Sequence, residues 1–272
     1  MFKLLSLLLF PSLVFAQAFQ GLDREALLEA GAGAAYGTVP HYPGSDQSTS
    51  LFLPFPALIY RGERYRLDED GGARTRFFYS DSMEINLSVG GSLPVSSKDN
   101  RAREGMPKLD AMVEVGPGLI FHFFNQRNSD KFRLSLNLPI RQAISSDLKY
   151  TKARGQIFNP LLYSFYQLNT QLSVFMALSA YWATKDYNRY LYSVSPQFQT
   201  FNREAYEAKG GYVVSNYALA FIYSKKKFSI FSAVSLNDAH FSSNKNSPLF
   251  VTKRNLGYAV GFTYFFYKLN NF

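Results

Sequence analysis

His41, His122 and His240 are the only side chains in this sequence whose ordinary pKa lies near neutrality, and the chain has no cysteine. Any nucleophile-activating chemistry therefore rests on those three rings. A lipid hydrolase or acyltransferase would pair one of them with a serine and an acid or amide. None lies near a G-x-S-x-G turn. His41 and His240 fall in expected outer loops, and His122 is expected beside Arg133, where charging the ring is disfavoured with no nucleophile to activate. No His/Asp/Glu spacing makes a metal set, and no glycine loop leads from a strand into a helix to cradle phosphate. The sequence thus points to no catalytic residue, no cofactor-binding residue and no metal ligand, and to a protein that is not an enzyme.

The other ionisable groups follow a period of two. Met83, Ile85, Leu87 and Val89 alternate with Glu84, Asn86 and Ser88; Phe132, Leu134, Leu136, Leu138 and Ile140 alternate with Arg133, Ser135, Asn137 and Arg141. Val113 and Val115 flank Glu114, and Phe121 and Phe123 flank His122. A two-residue period with unlike faces marks a strand between two unlike environments. In a small soluble barrel the charged face would be outside; with an apolar face turned to lipid, Glu84, Glu114, His122, Arg133 and Arg141, together with Arg74 and Arg76, point into a lumen. The hairpin between them is expected to set His122 opposite Arg133 and Glu114 opposite Arg141, bracing the wall and leaving a filled or narrow interior.

About twelve such strands can be placed along the chain. Besides the three above they are Glu29–Gly37, Ser50–Tyr60, Glu63–Asp70, Ala73–Tyr79, Ile157–Gln167, Thr170–Thr184, Gly211–Tyr223, Phe228–Asp238 and the closing Leu256–Phe266. Short connections, such as Lys225, Lys226 and Lys227, alternate with long ones over 38–49, 93–108, 142–156, 185–210 and 239–254, as periplasmic turns and extracellular loops do. The Asp70–Gly72 link breaks the pattern by being short. The expected fold is all-β: a transmembrane antiparallel up-and-down β-barrel with long extracellular loops and short periplasmic turns. Tyr163, Tyr166, Trp182, Tyr187, Tyr190 and Tyr192 read as interfacial girdles. Lys98, Arg101, Arg103, Lys108, Lys149, Lys152 and Arg154 read as loop cations that meet lipopolysaccharide phosphates.

The ends of the chain set its location. A basic start at Lys3, an apolar run to Phe15 and small residues before a cut after Ala16 or Ala18 make residues 1–16 a signal peptide, 17–28 a periplasmic N-terminal segment and 29–272 the barrel. The assembly signal of the closing strand is expected at Phe266 or Phe272. Hydrophobic residues make up 47% of the 272-residue chain and aromatics 17%, yet mean hydropathy is −0.14; alternation rather than long apolar runs carries the hydrophobicity. The formal net charge of +9 would suit nucleic acid, but export to the envelope of a Gram-negative bacterium removes that partner.

Several local patterns then converge. Gly31-Ala-Gly-Ala-Ala-Tyr36, His41-Tyr-Pro-Gly-Ser-Asp46, Leu53-Pro-Phe-Pro56 with Tyr60-Arg-Gly62, Tyr192-Ser-Val-Ser-Pro196, Ala205-Tyr-Glu-Ala-Lys-Gly210 and Asn246-Ser-Pro-Leu249 follow one another as in the MipA/OmpV family of outer-membrane proteins, which the chain resembles. Ser193 stands where that family usually has glycine, and Tyr267–Phe272 extends the last strand. The resemblance implies a non-enzymatic scaffold that gathers murein (peptidoglycan) processing enzymes, a lytic transglycosylase among them, at the inner side of the outer membrane. Lys225, Lys226 and Lys227 are the expected periplasmic contact, and outer-membrane lipid and lipopolysaccharide the surrounding partners. A narrow channel, or a surface adhesin acting through the long loops, are the contrasting readings.

Overall fold

The computed structural model describes residues 26–68, 72–123, 131–147 and 149–270. The expected leader, most of the 17–28 segment and Phe272 lie outside the described residues. One antiparallel sheet of thirteen strands makes the molecule: β1 (Ala26–Pro40), β2 (Ser48–Arg61), β3 (Tyr65–Asp68), β4 (Gly72–Tyr79), β5 (Met83–Ser92), β6 (Ala111–His122), β7 (Phe132–Ser146), β8 (Thr151–Phe158), β9 (Leu161–Gln167), β10 (Leu172–Ala183), β11 (Gly211–Lys225), β12 (Phe228–Asp238) and β13 (Arg254–Asn270). The sheet closes where β13 pairs with β1, from Ala26↔Asn270 to Gly37↔Ala259.

β8 and β9 are two halves of one stave, since both lie between β7 and β10. The barrel therefore has twelve staves, thirteen strands less one interruption. Pro160, which has no N–H to give the ladder, sits in the break, and Asn159 Nδ2 donates to the Ala180 carbonyl at 3.1 Å across it.

Alternation does what it must in a closed sheet within lipid. Along β13, Leu256, Tyr258, Val260, Phe262, Tyr264 and Phe266 are exposed on the outside, while Gly257, Ala259, Thr263 and Phe265 are buried within. Both described termini and the turns at 62–64, 80–82, 168–171 and 226–227 share one end, the periplasmic end by the usual rule. The opposite, outer end carries 41–47, 93–110, 184–210 and 239–253. The expected long loop over 142–156 is corrected: β7 runs on to Ser146 and β8 starts at Thr151, pairing Ser145 with Lys152. Gly155, in the left-handed region at φ 89°, falls within that extension and supplies the kind of irregularity that hides a strand from a period-two reading.

The outer end is capped. A helix, α1 (Lys185–Tyr192), places Tyr187, Asn188, Leu191 and Tyr192 on one buried face, with Asp186 in its first turn and Arg189 in its last, as the helix dipole favours. Tyr42, Leu109, Met112, Val213 and Val214 pack with it into one apolar cluster.

Candidate functional site

The lumen has two unlike halves. On the β3–β7 side, Arg74 is the hub of a buried ionic cluster: its Nη1 lies 2.5 Å from Asp68 Oδ1 and its Nε 2.6 Å from Glu84 Oε1. Arg66 reaches Asp68 at 3.1 Å and Asn86 donates to Glu84 at 3.1 Å. Arg76 is 3.8 Å from Glu84, but its donors go mainly to the Glu63 and Gly62 carbonyls of the β2–β3 turn. A further buried pair, Glu29–Arg61 at 3.0 Å, joins β1 to β2. That pair was missed in the sequence, although Glu29 shares parity with the inward Gly31 and Ala35.

Higher in the barrel, Glu114 and Arg141 face each other at 3.7 Å. Arg141 donates to Ser88 Oγ from Nε and Nη2, at 3.0 and 2.8 Å. Gly90 leaves room for them: a Cβ there would sit 3.0 Å from the Glu114 carboxylate and 3.2 Å from Arg141 Nη1. The expected register needs correction by two residues. Glu114 is level with Ala143 and His122 with Ser135, so Arg141 meets Glu114 on the diagonal, and Arg133 is likewise offset by two from the position opposite His122. A shift of two keeps every side chain on its face, so the face pattern alone leaves it undetermined. His122 Nδ1 is 2.9 Å from Ser135 Oγ, and the Arg133 guanidinium stacks 4.5 Å from the Phe165 ring centroid.

The other half of the lumen is apolar. Phe55, Leu161, Tyr163, Phe165, Phe175, Ile222 and Phe231 interlock across β2 and β9–β12, with the Phe165 and Phe175 rings 4.8 Å apart. The expected girdle is corrected accordingly. Tyr163 is buried inside the barrel and Tyr187 and Tyr192 in the cap, whereas Tyr166 and Trp182 do face outward. The sequence signal was present in Leu161–Gln167, where both parities are apolar, as they are when a wall has lipid on one side and packed side chains on the other.

The cap is held by hydrogen bonds between distant loops. Asn100, fully buried, donates to Ser45 Oγ at 3.0 Å and lies 2.9 Å from His41 Nδ1; His41 Nε2 is 3.0 Å from Thr49 Oγ1. Both contacts suit a neutral ring with its proton on Nε2. Burial holds the His41 pKa below its usual value, against the opposing pull of Asp99 and Asp46. Tyr42 donates to the Leu249 carbonyl and Tyr192 to that of Pro43, at 2.9 and 2.8 Å; burial pushes the Tyr42 hydroxyl up to about 12. Arg103, expected at the lipopolysaccharide surface, is buried and donates to the Leu191 carbonyl at 2.9 Å. Arg101 is exposed beside Asp46 at 2.7 Å.

Beneath the cap a cavity of about 120 Å³ remains, bordered by Val39, Tyr42, Leu93, Met112, Glu114 and Tyr181. Among the described residues no group of three or more His, Asp or Glu side chains is placed to hold a metal ion. Lys225–Lys227 form the tight β11–β12 turn at the periplasmic end, with Lys226 in the left-handed region at φ 55°.

The family model of MltA-interacting protein MipA matches residues 31–266. No curated protein matches the chain. Solved structures with a similar trace include the NanC porin, with 9% identity, 88% of this chain and 99% of that one covered, and a TM-score of 0.40. A bacterial polysaccharide outer membrane secretin follows, with 10% identity, 90% and 100% covered, and a TM-score of 0.38. The toluene transporter TbuX of Ralstonia pickettii has 12% identity, 95% and 94% covered, and a TM-score of 0.31. No residue role is carried over from them.

Proposed function

The chain belongs to the family of MltA-interacting protein MipA, and from that membership we propose that this outer-membrane β-barrel is a non-enzymatic scaffold that holds murein-processing enzymes, a lytic transglycosylase foremost, at its periplasmic face. The observation that carries the reading is the state of the lumen. One half is packed with aromatic side chains, the other is tied by buried ion pairs, and interlocked loops lie over the outer end. A molecule built this way has its faces to offer rather than its interior, which sets the narrow-channel reading second. The adhesin reading draws on the same outer loops, but their hydrogen-bonding groups are largely used on one another.

On the periplasmic side the Lys225–Lys227 turn gathers three cations. A left-handed lysine costs roughly 1–2 kcal/mol relative to the right-handed form, a cost that glycine in the same place escapes. A charged side chain in that conformation, flanked by two more lysines at the periplasmic end, suits a contact with an anionic surface. Co-purification from outer membranes tests the proposal. With Lys225, Lys226 and Lys227 all replaced by Ser, recovery of a lytic transglycosylase with the barrel is expected to fall strongly while barrel yield is unchanged. Undiminished recovery would refute the placement of the contact, and absence of any murein enzyme from the wild-type eluate would refute the scaffold.

A further inference from the structure

The barrel wall is interrupted between β2 and β5. β3 has four residues and β4 eight, and β3 pairs with β2 only through Tyr60↔Leu67 and Arg61↔Arg66. Among the described residues, β2 from Ser48 to Ile59 thus has no strand on that side, nor does β5 from Val89 to Ser92, because β4 stops pairing at Ser88. The break is bounded toward the periplasm by the β3–β4 hairpin. Toward the outside it is bridged by the loops, through Asn100 with His41 and Ser45, Arg101 with Asp46, and Gln47 Nε2 with the Asp99 carbonyl.

The rim has the chemistry of the lipid around it. Phe52, Pro54, Pro56 and Leu58 point outward and Leu51, Leu53 and Phe55 inward, with no charged residue between Ser48 and Tyr60. A free strand edge facing hydrocarbon alone would leave N–H and C=O groups unsatisfied at several kcal/mol each, so such edges persist only where they border protein or a wet cavity. Pro54 and Pro56 remove two donors from the strand that bears the edge, and also make it a poor template for a second copy of the sheet. On the β5 side the cavity under the cap supplies that border: Gly91, Ser92 and Leu93, at the unpaired end of β5, line it together with Val39 and Met112 and with the polar side chains of Glu114 and Asn216. Its volume of about 120 Å³ is of the order of the engineered cavities, about 150 Å³, that take up benzene, although here the apolar lining is mixed with polar side chains.

We propose that this break is a lateral port through which a hydrocarbon chain of the outer leaflet reaches the lumen cavity. The proposal is independent of the scaffold reading, since it concerns the membrane side of the wall and not the periplasmic face.

Tryptophan quenching tests it, because Trp182 is the only tryptophan. In a Trp182→Phe background, Leu53→Trp places the probe inward at the port, Ala177→Trp inward on the continuous wall, and Leu58→Trp outward in lipid. In phosphatidylcholine vesicles with brominated acyl chains, Leu53→Trp is expected to lose as much fluorescence as Leu58→Trp and clearly more than Ala177→Trp. Quenching at Leu53→Trp no deeper than at Ala177→Trp overturns the port. Where tryptophan blocks folding, Leu53→Cys and Ala177→Cys in the cysteine-free chain give the same comparison with a lipid-soluble maleimide. Faster labelling at position 53 supports the port, and equal labelling overturns it.

Discussion

Arg74 holds the charged half of the lumen together. It is fully buried and lies between two carboxylates from neighbouring staves, Asp68 and Glu84. Such a cluster stabilises only while it is complete, since removing one partner strands the other charge out of water. Glu84→Gln is therefore expected to cost roughly 3–5 kcal/mol, read as a lower urea midpoint of the folded barrel; an unchanged midpoint would show that Asp68 alone satisfies Arg74. His41 acts at the outer end in the opposite sense. Its folded pKa is depressed below the unfolded 6.5 by burial, so the unfolded loop binds the proton first. The contribution of His41 is full above pH 6.5 and is lost as pH falls from there through the folded value. Protonation at Nδ1 also removes the acceptor facing Asn100. Hydrogen exchange in 41–47 and 96–103, corrected for intrinsic rates, is expected to be faster at about pH 5.5 than at about pH 7.5, and in His41→Gln the difference should shrink.

At the scale of the element, β2 is the unusual strand. It carries two prolines and one long unpaired side, and the prolines keep that side from recruiting another strand. Replacing both Pro54 and Pro56 with Thr is expected to raise the dimer and higher-oligomer fraction on native gels in detergent; a strictly unchanged distribution would mean the edge is guarded by something else. Strands were legible from the sequence in proportion to the contrast between their faces. β5, β6, β7 and β13 stood out because small or polar residues alternate with apolar ones at the boundary between lumen and lipid. β2 and β9–β12 were indistinct for a physical reason, since an apolar lumen wall erases the alternation. The same property concealed the Phe165–Phe175 core, and the eight-residue α1 was concealed because a helix folded back into a barrel mouth has only two turns of pattern. Parity places Glu84, Glu114, Arg133 and Arg141 on the correct face and brings Glu114 to Arg141, but the pair is diagonal rather than directly opposed, because the hairpin register is not determined by parity. Arg103 read as a surface cation because composition does not reveal which loop cations fold inward.

At the scale of the whole molecule, twelve staves enclose an interior that side chains occupy rather than water alone. The periplasmic level is occupied by Glu29–Arg61 and the Arg74 cluster, the middle by aromatic rings, and the outer level by α1 and the loops. The account of a protein that works through its periplasmic face depends on that filling, because an open conduit would restore transport as the simplest reading. Single-channel recording in planar bilayers tests it most directly. The purified barrel is expected to give no stable conductance steps; reproducible steps in the wild-type protein, altered in size or ion selectivity by Glu114→Ala, would contradict the account.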